Sequence, residues 1–493
     1  MIGNPFDMNN KILFAVLAAV LFCGCGNSSE APSSDLACET HGDVLPVTGT
    51  FINLPYQDVR NKYTNPQYLD MTDPLMWETK IAEMKKMGME YLVFMSVANE
   101  GKAYYPSKLM RKHYPQWRKS PVDAVMDAAA KHGMKVFMST GWAVDQDDNL
   151  RDPKIKGRQI EMMTELAGLY GDHPAMYGWY LPVEDCFGPV LTDYAVDAVN
   201  ELTARARELT PSAKILISPY GIFNSDFEDP RYEQQISRLK VDIIAYQDEI
   251  GCVRERYPLT RLRENWKKLR AIHDKTGIAM WANCESFAWE KGTNDRSSAL
   301  IPAPYSRFLS QQIAATEGGA EKIISFIFCG LFEDPQSPYQ LGQPHWSAAA
   351  YEDYMGWLGG DSYWKAVEAS MTGRLGPHAT EDLEDPLWKF YEAGMNEIVV
   401  PVEGGKVNSV LVRMLNSHKD GIVPPDKIFL FTSRNGSKWS LAQIKDTPSF
   451  PNTNHDAFVD HVVFDGLDLS SVKSLKIAFT VDEKAAFDTP VLR

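Results

Sequence analysis

Trp281-Ala282-Asn283-Cys284-Glu285-Ser286-Phe287 reads as the end of a short apolar strand, begun at Ile278, that runs into a carboxylate. Upstream lies a twin, Tyr177-Gly178-Trp179-Tyr180-Leu181-Pro182-Val183-Glu184, again apolar, aromatic and closed by a glutamate. Short apolar runs bounded by turn or helix signals are the pattern of strands buried on both faces, as in a parallel sheet. The fold is decided by whether the rest of the chain repeats that unit with a helix between each copy.

It does. Strands are expected at 47–54, 91–97, 134–140, 175–182, 214–218, 241–247, 278–285 and 322–328. Helical stretches separate them at 74–87, 120–132, 153–170, 191–209, 231–239, 261–275, 304–316 and 346–357. Several carry their own punctuation. Asp73-Pro74 and Ser120-Pro121 pair an N-cap with a first-turn proline, and Gly88, Gly133 and Gly277 close helices. Eight strands alternating with eight helices predict an α/β fold, a (β/α)8 TIM barrel over 46–360. A doubly wound open sheet is disfavoured because no GxGxxG or Walker pattern follows an early strand.

Beyond Gly360 the rhythm changes. Residues 361–395 read as a connecting segment with some helix. From 396 to 493 short strands dominate, at 398–402, 409–412, 428–431, 461–464 and 475–479, separated by turns such as Glu403-Gly404-Gly405 and Arg434-Asn435-Gly436. That spacing predicts a small C-terminal β-sandwich as an accessory domain.

The N-terminus carries an export signal. Lys11 precedes an apolar run from Ile12 to Cys23, too short for a permanent membrane span. The run leads into Leu21-Phe22-Cys23-Gly24-Cys25, which resembles a bacterial lipobox and implies lipidation of Cys25. Residues 1–25 are then a lipoprotein signal peptide and 26–45 a polar tether. The implied location is the cell envelope, at the outer membrane, with the lipid anchor as the membrane contact. Seven cysteines, less two in the signal, leave Cys38, Cys186, Cys252, Cys284 and Cys329, without metal-type spacing. The net charge of −15 and the lack of any long Lys/Arg run argue against a nucleic-acid partner. No cofactor motif is present, and the ten histidines form no HxH or HExxH ligand set.

In a barrel the working face is the C-terminal end of the strands. Glu184 ends the fourth and Glu285 the seventh. This resembles the clan A retaining glycosidases, in which the acid/base follows strand four and the nucleophile follows strand seven. The resemblance makes Glu184 the general acid/base and Glu285 the nucleophile. One carboxyl must hold a proton for the leaving oxygen while the other attacks the anomeric carbon, so the two need unlike environments. The chain departs from the clan at Val183, where an Asn normally precedes the acid/base, and at Phe328-Cys329-Gly330, where a Trp normally ends strand eight. Asp248 and Asp185 are further strand-end carboxylates.

Trp142, Trp179, Tyr220, Trp281 and Trp346 are expected as sugar-stacking platforms. Tyr246, Gln247, Asp248, Asn283 and His345 are expected to contact substrate. A closer likeness is to a family of exported bacterial lipoproteins with a glycosidase-like barrel. It is carried by the Gly178–Glu184 stretch, Ile217-Ser218-Pro219-Tyr220 and Ala245-Tyr246-Gln247-Asp248, and spans about residues 46–345. It implies an extracytoplasmic role on an oligo- or polysaccharide. Thr432-Ser433-Arg434-Asn435-Gly436-Ser437-Lys438-Trp439 resembles a hairpin of galactose-binding-like modules. The expectation is a glycoside hydrolase; the alternative is a glycan-binding lipoprotein on a barrel without catalysis.

Overall fold

Eight parallel strands close on themselves in a computed structural model of the chain. The described residues are 44–493, apart from 55–61, 69–70, 114–115, 142–149, 151, 184–189, 191, 253–258, 293–294, 296, 343, 403–406, 449 and 451–454. The strands are β1 (Val47–Ile52), β2 (Tyr91–Phe94), β3 (Lys135–Ser139), β4 (Met176–Tyr180), β5 (Lys214–Ile217), β6 (Ile243–Gln247), β7 (Ala279–Glu285) and β8 (Lys322–Phe326). Each pairs with its chain neighbours, and β1 pairs with β8 to complete the ring. All eight expected strands are present, and the (β/α)8 barrel is the fold.

The helices form where the sequence marks them. Helix α1 (Pro74–Lys86) starts at Asp73, whose carboxylate accepts from the Leu75 N–H at 2.9 Å. Ser120 caps α2 (Pro121–Lys131), and Asp152 caps α3 (Pro153–Tyr170). Then come α4 (Asp193–Leu209), α5 (Pro230–Ile236), α6 (Leu259–Thr276), α7 (Tyr305–Glu317) and α8 (Pro344–Leu358). Carboxylate and hydroxyl caps satisfy first-turn amides that would otherwise lack a partner.

The barrel interior is filled, not hollow. On β7 the side chains of Trp281, Asn283 and Glu285 share one face, since strand residues alternate. Trp281 lies at the bottom of that row, 5.0 Å from the Tyr91 ring and 6.1 Å from Phe137. A register shift between β3 and β4 lets both Tyr177 and Tyr180 reach inward. Tyr177 meets Tyr91, and Tyr180 meets Phe51. Gly178 sits where a Cβ would lie 2.3 Å from the Lys214 carbonyl and 2.7 Å from the Phe137 ring. Glu285 therefore stands above a packed aromatic plug at the C-terminal end.

After the barrel, the segment expected as a connector begins with a further helix, α9 (Ser362–Met371), capped by Asp361. The C-terminal domain follows as one antiparallel sheet of seven strands. They are β9 (Lys389–Pro401), β10 (Val410–Asn416), β11 (Lys427–Ser433), β12 (Ser440–Asp446), β13 (Phe458–Phe464), β14 (Ser474–Phe487) and β15 (Val491–Leu492). Strand β9 starts seven residues before the expected domain boundary, and β12 was not among the expected strands. The long β14 pairs with β9 over its whole length, with β11 in its first half and with β10 at its end. The sheet thereby folds over its own core, which includes Val410, Val412, Leu430, Phe464, Ile477 and Phe479. It joins the barrel through α9: Ala366 packs on Leu411 and Val463, and the Tyr363 hydroxyl donates to the His461 carbonyl at 2.9 Å.

Candidate active site

Glu285 is the last residue of β7 and is buried, with only 4% of its surface exposed. Its carboxyl is gripped by the chain that follows β6. The Gly251 N–H donates to Oε2 at 2.7 Å, and the Cys252 thiol donates to Oε1 at 3.1 Å. Glu249, at φ 55°, turns the backbone to bring those donors over. Gly251 has to be small: a Cβ there would lie 2.7 Å from the Phe287 carbonyl and 3.0 Å from the Glu285 carboxyl.

Two more carboxyls crowd the site. Asp248 follows β6 and is fully buried. It accepts from the Glu285 N–H at 3.0 Å and from the Gln311 side-chain amide at 2.6 Å. Glu249 is also buried, and its Oε2 accepts from the Gly221 N–H at 2.9 Å. Below them the Arg307 guanidinium donates to the carbonyls of Glu285 and Phe287, at 2.9 and 2.7 Å.

This crowding controls protonation. Burial, and then the neighbouring Asp248 charge, push Glu285 up to about 8. Burial pushes Glu249 up to about 7 and raises Asp248 as well. Burial also draws Arg307 down to about 10, which leaves it charged at neutral pH. The end of the barrel between β6 and β7 thus holds three carboxyls, all raised by burial, beside one half-buried cation.

The sequence-derived site residues divide in three. Glu285, Asp248, Asn283 and Gln247 gather at this end. Asn283 donates to the Ser218 hydroxyl at 3.0 Å, and Gln247 to the Ser218 carbonyl at 2.8 Å, which ties β5, β6 and β7 together. Tyr220, two residues past that serine, is buried at 6% exposure. Trp346 at the start of α8 is half-buried, and its ring meets Tyr63 at 5.4 Å. A second group is turned away from any open surface. Trp179 is fully buried and donates its indole N–H to the Thr210 hydroxyl at 2.7 Å. Trp281 belongs to the barrel plug. Tyr246 points outward to α6 and hydrogen-bonds His273 at 2.8 Å. Those three aromatics have no face free for a sugar, and their burial corrects the expectation that they are platforms or contacts. The third group, Glu184, Trp142, Cys25 and the alternative Asp185, lies outside the described residues, as does the side chain of His345.

Sequence reading passed over Glu249, Cys252, Arg307 and Gln311. Asp248-Glu249 at a strand end was a legible signal for the first. The other three sit in a loop or on a helix, where only the closed barrel brings them to the carboxyls. Among the described residues, no group of three or more His, Cys, Asp or Glu is placed to hold a metal ion. No described helix is long and apolar enough to cross a membrane.

The barrel belongs to an architecture used by many glycoside hydrolases. A solved structure from Bacteroides thetaiotaomicron VPI-5482, assigned as an α-L-fucosidase, is similar to it. The identity is 19% and the TM-score 0.51, over 64% of this chain and 96% of that one. A glycoside hydrolase family 5 structure from Bacteroides vulgatus ATCC 8482 matches at 11% identity and a TM-score of 0.40, over 91% of this chain and 93% of the other. By sequence, the chain belongs to the family described as a domain of unknown function (DUF4434), whose match spans residues 47–339. A comparison with curated proteins finds no match.

Proposed function

We propose that this chain is a retaining glycoside hydrolase, anchored by a lipid on Cys25 at the outer membrane and acting on an extracellular or periplasmic glycan. The observation that carries the reading is Glu285. It ends β7 on the inward face, above a filled barrel, with backbone and thiol donors aimed at both oxygens. Glu285 acts as nucleophile on the anomeric carbon, and Glu184, after β4, as acid/base. The fold shared with a structure assigned as an α-L-fucosidase is consistent with a saccharide substrate. In the retaining reaction the two donors hold the attacking carboxylate in place, while the proton of the second carboxyl goes to the departing oxygen.

The test is a screen of purified residues 26–493 against plant, host and microbial glycans, beside Glu285→Gln and Glu184→Gln. Reducing ends released by the wild type and reduced at least 10³-fold in Glu285→Gln are the expected result. Equal release by all three proteins overturns the assignment. Replacing Cys25 by Ser should move the protein from the membrane fraction to the soluble one.

A second reading has its own observation. Burial and the Asp248 charge raise the Glu285 carboxyl to about 8, and Val183 replaces the Asn that clan A enzymes place before the acid/base. A barrel that binds glycan without cleaving it would show saturable binding and no products after prolonged incubation.

A further inference from the structure

A cleft of about 290 Å³ opens where the barrel meets the C-terminal sheet. One wall comes from residues 302–306, ahead of and into α7, and from α8 and α9. The other comes from β13 and the chain before it. Aromatic rings from both domains converge on it: Trp346 and Trp364 from the barrel side, Phe450 and Phe458 from the sheet side. Its acids are Asp353 on α8 and Asp460 on β13, again one from each domain.

We propose that this cleft binds an uncharged sugar ring, as a second glycan site assembled by the two domains together. The class of ligand rests on the saccharide reading above. None of its lining residues belongs to the carboxyl cluster of Glu285, Asp248 and Glu249.

The chemistry selects that ligand. Pyranose rings present C–H faces that pack on aromatic rings, while their hydroxyls need polar partners at the rim. Asp353 and Asp460 supply those partners. Asp353 shares a side-chain hydrogen bond with the Trp364 indole, and the Asn416 amide donates to Asp460 at 2.6 Å. Burial raises Asp353 to about 6 and Asp460 to about 7. Each can therefore donate as well as accept near neutrality, which suits hydroxyls. No Lys or Arg is among the described lining residues, and burial keeps the lining His461 neutral. A carboxylate or sulfate on the sugar would meet two acids and no cation, so acidic sugars are excluded. Trp346 lines the cleft and also meets Tyr63, which hydrogen-bonds Glu290 in the segment after β7. The cleft thus lies on the same side of the barrel as the strand ends, where a chain of sugars reaching the mouth could continue into it.

Saturation-transfer NMR tests this directly. The probes are a panel of neutral hexoses, pentoses and deoxyhexoses, with galacturonate as the acidic control. The proteins are the wild type, Glu285→Gln, Asp353→Asn and Phe450→Ala. Phe450 lies outside both apolar cores, so its truncation leaves the fold in place, and Asp353→Asn keeps the shape. At least one neutral sugar should give a signal that persists in Glu285→Gln and falls at least five-fold in both cleft variants, with none from galacturonate. No response to any neutral sugar overturns the proposal, as does a signal that survives both cleft variants. If no glycan is cleaved while cleft binding behaves as described, the hydrolase reading alone falls.

Discussion

At the residue scale, the chemistry turns on one proton. A nucleophilic carboxyl must be ionised, and burial with a like-charged neighbour holds Glu285 at about 8. The kcat/KM of the free protein should therefore rise as pH increases through about 8, a limb set by Glu285. The Cys252 thiol favours the ionised form by donating to Oε1. Cys252→Ala should move that limb upward by roughly half a unit, with kcat at the plateau little changed, as a pH profile would show. Gly251→Ala should be far more damaging, because its methyl would press on the Phe287 carbonyl and the Glu285 carboxyl. Glu285 was legible because a strand-end carboxylate is a local pattern. Its partners were not, because a thiol and an amide in a loop carry no signal until the barrel closes. The buried Trp179 and Trp281 show the converse. Trp281, four residues before Glu285, shares its face but lies a layer deeper, and Trp179 turns its indole to the Thr210 hydroxyl.

At the scale of elements, the glycine at 178 fixes how β4 sits against β3 and β5. Gly178→Ala would drive a methyl into the Lys214 carbonyl and the Phe137 ring. Overpacking of this kind costs about 1–3 kcal/mol, and a lowered denaturant midpoint with an unchanged slope would measure it. Asp73→Ala removes the α1 cap and should cost about 1 kcal/mol by the same assay. The helices were readable because proline and capping side chains mark their starts in the sequence itself. The sheet domain was less so. Strand β12 presents Leu441 and Ile444 outward and buries little, so it lacks the apolar alternation that reveals a half-buried strand. The first part of β9, ahead of the expected strand at 398–402, is hidden for the same reason, since most of its side chains are exposed.

For the whole molecule, stability is bounded on two sides by buried titrating groups. The raised carboxyls Glu285, Glu249 and Asp460 bind more protons when folded than unfolded. Their contribution is present in acid and is lost as pH climbs from the ordinary carboxylate range toward about 7–8. His273, buried between Tyr246 and the Ile278 carbonyl, is held down to about 4. Its contribution is present above the ordinary histidine range and is lost as pH falls toward that value. Melting temperature should therefore peak at mildly acidic pH. Glu285→Gln should raise it at pH 8 relative to pH 5, by about 1–3 °C, in scanning calorimetry. The barrel as a whole was legible because alternation is a property of the entire chain. The join between domains was not, since α9 and the cleft depend on contacts such as Ala366 with Leu411 that no local pattern encodes.

Strand β9 runs for thirteen residues and, among the described strands, pairs only with β14. Its other rim is a row of amides and carbonyls that a strand from another molecule could extend, the first step of aggregation. Three features guard it. Lys389, Glu392 and Glu397 put charge along the rim, the register breaks between Glu392 and Gly394, and Gly394 takes φ 123°, which few other residues tolerate. Met395, 90% exposed just beyond that break, is the one large apolar side chain left fully in the open there. A variant that straightened the bulge and neutralised the charges would keep every contact in the cores, yet it would lose the barrier to polymerisation.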